Sequence, residues 1–134
     1  DPDLFYCSTH QWPLYPGTGA PDERGCANNI LNVGLAAGSG TEELQAAFNS
    51  TVLPGIAAFK PELLIISAGF DGHKNDPLAG LSFETEDLVW MTRQLMALAD
   101  EQCEGRVVSL LEGGYDLPSL ASSVVQHVRT LMGP

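Results

Sequence analysis

Cationic residues are scarce in this chain of 134 residues. Six Lys and Arg stand against 17 Asp and Glu, which gives a formal net charge of −11 at pH 7. Neutralising nucleic-acid phosphates requires clustered cations, so a nucleic-acid partner is excluded, and an anionic membrane surface is disfavoured for the same reason. The acidic balance is compatible with a cationic substrate, but a negative net charge can also serve only to keep the protein in solution.

Long hydrophobic runs are also missing. The longest, Leu63–Ile66 and Val107–Leu111, are far shorter than the ~20 residues that cross a bilayer, so no membrane span is predicted. Asp1 begins the sequence without an initiator Met or the features of a signal peptide, and we therefore expect a fragment or a processed product. Apolar residues make up 44% of the chain, enough for the core of one domain.

Cysteine is limited to Cys7, Cys26 and Cys103. An odd number at wide spacing does not form a disulfide framework, so a reducing cytoplasm is the expected location. Cys7 and His10 have the C-x-x-H spacing of metal ligands, but no second pair completes a tetrahedral set. We interpret Cys7 as a small residue packed within a strand.

The apolar pattern predicts strands that alternate with helices. Strands are predicted over 4–9, 30–35, 63–67 and 107–111, and helices over 41–59, 85–102 and from 117 onward. Pro54 is expected to kink or restart the first helix, Thr85 or Ser82 to cap the second, and Asp116 to cap the last. Short connections favour right-handed βαβ units, so the predicted fold class is α/β, with an open, mainly parallel sheet flanked by helices.

The last helix has a stripe of apolar residues at spacings of three and four, which predicts its buried face. The members of this stripe are Leu117, Leu120, Val124, Val128 and Leu131. His127 falls outside the stripe and is expected to face solvent.

Asp71 lies just beyond the apolar strand in the segment LLIISAGFDGHKNDPL, residues 63–78. In open α/β sheets, ligands bind beyond the carboxyl ends of parallel strands. A carboxylate there can bind a metal, act as a base or cap a turn, and the residues alone leave these roles open. Asp76, which precedes a proline, is interpreted as a turn former. His73 and His10 are interpreted as structural hydrogen-bonding residues.

Tyr115 follows two glycines in the segment VVSLLEGGYDL, residues 107–117. The glycines allow a sharp turn that places the phenol at the sheet edge. Its hydroxyl can donate a hydrogen bond to a developing oxyanion, or Tyr115 can be an ordinary core tyrosine. Tyr15, in a loop rich in Pro and Gly, either walls an apolar channel or anchors that loop in the core.

Three segments together resemble the histone deacetylase superfamily of zinc amidohydrolases. HQWPLYPGTG at 10–19 is similar to the family loop with an aromatic residue before P-G-T-G. SAGFDGHKNDPL at 67–78 is similar to its G-F-D-x-H-x-x-D-P-L segment, and LEGGYDL at 111–117 to its L-E-G-G-Y segment. The resemblance covers nearly the whole chain, and we interpret 1–134 as the C-terminal portion of a single histone deacetylase-like domain with an arginase/deacetylase-like fold.

The resemblance implies hydrolysis of an acetyl-amide at a catalytic Zn²⁺ ion. It makes Asp71 one of three protein ligands to the metal, and Tyr115 the residue that polarises the amide carbonyl and stabilises the oxyanion. Tyr15 would line the tunnel for the acyl-lysine, and Gly113 and Gly114 would form part of its floor. The implied substrate is an acetylated lysine of a protein or a small acetylated amine.

Two further elements of the family pattern are missing from this sequence. The one D-x-H in the sequence, Asp71-Gly72-His73, contains Asp71 itself, so no separate D-x-H segment supplies the other Asp and His ligands, and no tandem His pair supplies the general base. In the family, both precede the segment with which this sequence begins. Because open catalytic zinc sites use three protein ligands plus water, Asp71 alone cannot hold zinc tightly. The intact domain is expected to be a hydrolase, and residues 1–134 alone to be inactive.

Three alternatives remain open. The first is an amidohydrolase of the same superfamily that acts on acetylpolyamines. The second is a non-catalytic binding module that kept the fold and lost the metal. The third is an unrelated α/β domain for a phosphorylated ligand, but neither G-x-x-x-x-G-K-[ST] nor G-x-G-x-x-G occurs.

Overall fold

A computed structural model describes residues 1–133, which form parallel strands flanked by helices. The strands are β1 (Tyr6–Gln11), β2 (Ile30–Leu35), β3 (Leu64–Ala68) and β4 (Val107–Leu111). The α-helices are α1 (Thr41–Ala47), α2 (Leu53–Phe59), α3 (Thr85–Cys103) and α4 (Leu117–Leu131). Within this described part, every helix is too short or too polar to cross a membrane.

The strands form two parallel pairs, β1 with β2 and β3 with β4. The registers run from Tyr6 opposite Ile30 to Gln11 opposite Leu35, and from Leu64 opposite Val107 to Ala68 opposite Leu111. Parallel neighbours need a long crossover, and α3 provides it between β3 and β4. The predicted α/β class with parallel strands is confirmed, with the strands in two pairs.

The predicted helix over 41–59 is divided by a π-helical turn, Phe48–Val52. The N–H of Leu53 donates to the carbonyl oxygen of Phe48, five residues earlier. Pro54 then lies in the first turn of α2, directly after this π-helical turn. The restart expected at Pro54 is confirmed.

The hydrophobic core joins this helical segment to α3 and to the loop that follows β3. Its buried side chains larger than alanine, all less than 9% exposed, are Leu35, Leu44, Phe48, Val52, Ile56, Phe70, Leu81, Phe83, Leu88 and Leu98. The four from the first helical segment recur every fourth residue, as one helix face requires. The core therefore lies directly behind the loop that carries Asp71.

The buried face of α4 is polar, and the predicted apolar stripe is wrong in part. Ser119, Ser123 and His127 are at most 7% exposed, whereas Leu117 is 73% exposed and Val128 is 46% exposed. The cause is that α4 packs against its neighbours partly through hydrogen bonds, which an apolar periodicity does not reveal.

His127 is buried between α3 and β4, so the prediction that it faces solvent is wrong. The Thr92 hydroxyl donates to the carbonyl oxygen of Leu88 at 2.7 Å, and His127 Nδ1 lies 2.8 Å from the same hydroxyl oxygen. Because that hydroxyl has one hydrogen, we assign the neutral tautomer in which Nδ1–H donates to Thr92. Nε2 then accepts from the Ser109 hydroxyl at 2.8 Å.

Acidification should destabilise the fold through His127. Burial lowers the pKa of His127 from its ordinary value of 6.5, because a buried imidazolium loses its hydration. The unfolded chain takes up the proton more readily, so the stabilisation is complete above about pH 6.5 and is lost as pH falls through the lowered pKa. Urea unfolding across this range should show a falling free energy of unfolding, and the fall should be smaller in His127→Gln. An identical pH dependence in both proteins would contradict this assignment.

One face of the β3–β4 pair is uncovered within residues 1–133. Continuous apolar runs are typical of strands buried on both faces, but Ile65, Val108 and Leu110 are 59%, 45% and 52% exposed. Ile65 and Val108 are directly opposite each other in the register. Apolar surface of this kind typically marks a contact face.

Candidate functional site

The carboxyl ends of β3 and β4 bring Asp71 into contact with Gly113. Ala68 and Leu111 are paired at the ends of the strands, and beyond them Phe70 N–H donates to the Gly113 carbonyl oxygen at 2.7 Å. A Cβ atom on Gly113 would lie 2.7 Å from Asp71 Oδ2 and 2.9 Å from its Cγ. The Asp71 carboxylate therefore occupies space that only glycine leaves open.

Tyr115 is held at the same edge by its main chain. Gly114 has a φ of +149°, which L side chains rarely adopt, and a Cβ there would lie 2.7 Å from Leu120 Cδ1. The N–H of Tyr115 donates to Asp76 Oδ2 at 2.8 Å. Its side chain is 54% exposed, so the core-tyrosine interpretation is wrong and the phenol is accessible to a ligand.

Asp71 sits in surroundings that disfavour an isolated negative charge. Burial raises the pKa of Asp71, the charge of Asp76 raises it further, and a hydrogen bond from its own backbone N–H acts in the opposite direction. A nearby cation would stabilise the charged form and offset the cost of burial. This carboxylate is therefore suited to a cationic ligand.

Two hydrogen bonds fix the ends of the loop that carries Tyr15. His10 Nε2–H donates to the Gly19 carbonyl oxygen at 2.9 Å, which fixes the far end of the loop. The N–H of Gly80 donates to Gln11 Oε1 at 2.7 Å, which joins the end of β1 to the loop after β3. Tyr15 itself is 93% exposed. It does not anchor its loop in the core, and its role in a channel stays a prediction.

Cys7 and His10 do not form a metal-ligand pair. Both ring nitrogens of His10 are engaged, since Nδ1 accepts from the Ser8 hydroxyl at 2.9 Å and Nε2–H donates to Gly19. Burial raises the pKa of the Cys7 thiol to about 11, so the thiol is neutral at physiological pH. It packs against the core, which confirms its interpretation as a packed strand residue.

Asp71 can supply one metal ligand, but the described residues do not complete a site. Across residues 1–133, no three His, Cys, Asp or Glu side chains are grouped so that they could hold a metal ion. His73, two residues from Asp71, is buried and accepts the N–H of Asn75 at Nδ1, 3.2 Å away. Because a catalytic zinc needs three protein ligands, the chain fits this metal only as the donor of one.

Asp76 is the residue that sequence reasoning missed. Its turn-forming role is present, since Oδ1 accepts the N–H of Leu78 at 2.9 Å. Its second contact, with Tyr115, spans 39 residues. A single Asp before proline carries no local signal for such a contact, and only its low exposure of 7% reveals it.

Comparisons with known proteins identify the family to which this chain belongs. A model of the histone deacetylase domain matches residues 1–131. Histone deacetylase 10, chloroplastic, of Oryza sativa subsp. japonica is 43% identical over 99% of this chain and 31% of its own length. A probable deacetylase of Archaeoglobus fulgidus is 38% identical over 87% of this chain and 33% of its own. The solved structure of the histone deacetylase Clr3 superposes with a TM-score of 0.90 at 33% identity, over 99% of this chain and 23% of that one.

The fold class is that of α/β deacetylase domains. The chain belongs to the histone deacetylase family. It spans about a third of the length of the rice and Archaeoglobus relatives that it matches. The name of the rice relative places that protein in the chloroplast, and a cytoplasmic location stays a prediction for this chain.

Proposed function

We propose that this chain supplies part of the active site of a zinc-dependent deacetylase that hydrolyses acetylated lysine. The observation that carries the proposal is the contact between the Asp71 carboxylate and Gly113, with Tyr115 two residues further on. A metal ligand and a hydrogen-bond donor thereby lie at the carboxyl ends of adjacent parallel strands, where α/β proteins bind ligands.

Each residue of the proposed site has a distinct task. Asp71 is one of three zinc ligands, and zinc when bound supplies Lewis-acid polarisation of the amide carbonyl. The Tyr115 hydroxyl donates a hydrogen bond to the carbonyl oxygen and gains strength as negative charge develops there. Tyr15 walls the entrance for the acyl-lysine, and Gly113 and Gly114 form part of the floor.

The proposal also makes residues 1–134 the C-terminal portion of one deacetylase domain. The uncovered apolar face at Ile65, Val108 and Leu110 is what a layer from the remainder of such a domain would cover. That remainder would bring two further zinc ligands and a His base, which takes the proton from the attacking water. Cys7, Cys26 and Cys103 are all free thiols, in keeping with a reducing compartment such as the cytoplasm.

A zinc titration on the 134-residue chain, paired with the same titration on the full-length protein, tests this proposal. We expect submicromolar zinc affinity and turnover of an acetyl-lysine peptide in the full-length protein, and neither in the 134-residue chain. One carboxylate cannot replace three ligands and a base. Turnover by the 134-residue chain alone, or metal-independent turnover by the full-length protein, would contradict it.

Gly113→Ala should disturb the Asp71 carboxylate specifically. The new Cβ would lie 2.7 Å from Asp71 Oδ2, closer than van der Waals contact allows, so we expect the carboxylate to shift and zinc affinity to fall. Overpacking of this kind costs about 1–3 kcal/mol of stability. Gly40→Ala is the matched control, because its nearest neighbour would be 3.6 Å away. Equal zinc affinity in the two variants of the full-length protein, measured with a chelator in competition, would contradict the contact.

A small acetylated amine is the second candidate substrate. It is favoured by the net charge of −11, which attracts cationic polyamines more strongly than neutral peptides. The ratio of kcat/KM for an acetylpolyamine to that for an acetyl-lysine peptide decides between them in the full-length protein.

A further inference from the structure

Asp76 connects the loop that carries Asp71 to the turn that carries Tyr115. Its side chain is 7% exposed. Oδ2 accepts the N–H of Tyr115 at 2.8 Å, and Oδ1 accepts the N–H of Leu78 at 2.9 Å. Both carboxylate oxygens are thus used by main-chain donors, one within the loop and one across the sheet edge.

Packing covers less than half of Tyr115. It is 54% exposed, so its location depends on where the main chain of residues 113–115 lies. Two contacts with the β3 loop define that main chain, namely Phe70 N–H with Gly113 and the Asp76 carboxylate with the Tyr115 N–H. Of these two contacts, the Asp76 carboxylate is the one bonded to Tyr115 itself. A hydrogen bond to a buried carboxylate is worth more than one between neutral groups.

We propose that Asp76 is a positioning residue, whose carboxylate sets the place of the Tyr115 phenol relative to Asp71. This inference rests on the proposed function, since the placement matters only if Tyr115 contacts the substrate. Asp76 touches no reacting atom and acts through the main chain of the tyrosine. A loss of this bond lets the phenol move away from the carbonyl oxygen, and a displacement of about 1 Å can cost about 10²-fold in rate.

The kinetic test is a double-mutant cycle in the full-length zinc-loaded protein. We expect Asp76→Ala to lower kcat about 10–10²-fold, with little change in KM or in bound zinc. In a Tyr115→Phe background the same substitution should change kcat less than about 3-fold, because the hydroxyl that it misplaces is already gone. The kcat of Asp76→Asn, which keeps one accepting oxygen, should lie between those of Asp76→Ala and the unsubstituted protein. Asp76→Asn replaces Asp76→Ala in the cycle if the latter folds poorly.

The structural control is Asp87→Ala. Asp87 is also a buried carboxylate, 4% exposed, but it accepts the N–H of Glu84 at the start of α3, at 2.9 Å. We expect its loss to reduce stability without the same fall in kcat. Equal kcat losses for Asp76→Ala and Asp87→Ala at equal stability would overturn the positioning role.

Hydrogen exchange at the Tyr115 amide separates this inference from the proposed function. Asp76→Ala should accelerate exchange at this amide about 10-fold or more, since the amide loses its acceptor. Unchanged exchange, or kcat effects that simply multiply in the cycle, would overturn the inference and leave the proposed function intact. If Tyr115→Phe alone keeps full activity, the proposed function fails and the inference with it.

Discussion

Tyr115→Phe is expected to lower kcat of the full-length protein about 10²–10³-fold, which is the usual cost of removing one oxyanion donor. The hydroxyl would contribute more in the transition state than in the bound substrate, because negative charge develops on the carbonyl oxygen only there. KM should therefore change little. Steady-state hydrolysis of an acetyl-lysine peptide measures both parameters.

The fold should tolerate this substitution almost without cost. The Tyr115 side chain is 54% exposed, and its bond to Asp76 is made by the main chain, which phenylalanine keeps. Surface changes of this kind usually alter stability by less than about 0.5 kcal/mol. Tyr6→Phe is the matched control, since Tyr6 in β1 is 59% exposed. Full activity in Tyr115→Phe would end the assignment of the oxyanion donor.

The strands and helices were predictable because their signals are local. The strands over 30–35 and 107–111 agree with the sequence prediction at both ends. The restart at Pro54 and the cap at Asp116, which accepts the N–H of Ser119 at 3.0 Å, follow from the chemistry of single residues. The cap of α3 is Glu84 rather than the expected Thr85 or Ser82, because the Asp87 carboxylate accepts the N–H of Glu84.

The packing of α4 was not predictable from its periodicity. An apolar stripe predicts burial only when the neighbouring surface is apolar as well. Here the neighbours offer hydroxyl groups, and His127 bonds Thr92 across 35 residues and Ser109 across 18. Ser123 likewise lies 3.1 Å from the hydroxyl of Thr85. These pairs depend on how the elements meet, which no single helix encodes.

The candidate site also contains one contact that the sequence predicts and one that it does not. The meeting of Asp71 with Gly113 follows from topology, since the carboxyl ends of neighbouring parallel strands share one edge. The contact between Asp76 and Tyr115 does not, because it depends on the path of an irregular loop. The position of Tyr15 likewise depends on a loop, whose ends are held by bonds of His10 and Gln11.

Asp71→Asn is the second substitution with a large expected effect. An amide oxygen carries no charge and is a poor replacement for a carboxylate ligand of zinc. Loss of a group that only supports a metal ligand costs about 10–10²-fold in metal affinity. Because Asp71 is proposed as a ligand itself, we expect zinc affinity to fall by more than this. Activity should fall with it, since the two remaining ligands hold the metal weakly. Bound zinc per chain and peptide hydrolysis, measured on the same samples of full-length protein, report the two losses together.

Without metal, Asp71→Asn should not lower the stability of the protein. Burial already disfavours the charge on Asp71, and the nearby Asp76 adds to the repulsion, so a neutral amide removes an unfavourable term. We expect metal-free Asp71→Asn to be at least as stable as the metal-free unsubstituted protein, and to lose the stabilisation that added zinc gives by mass action. Asp100→Asn, the same change at an exposed position of α3, should leave zinc stabilisation unchanged. If Asp71→Asn weakened the metal-free fold while zinc still raised its melting temperature, Asp71 would be a structural carboxylate, and the proposed metal ligand would have to lie elsewhere.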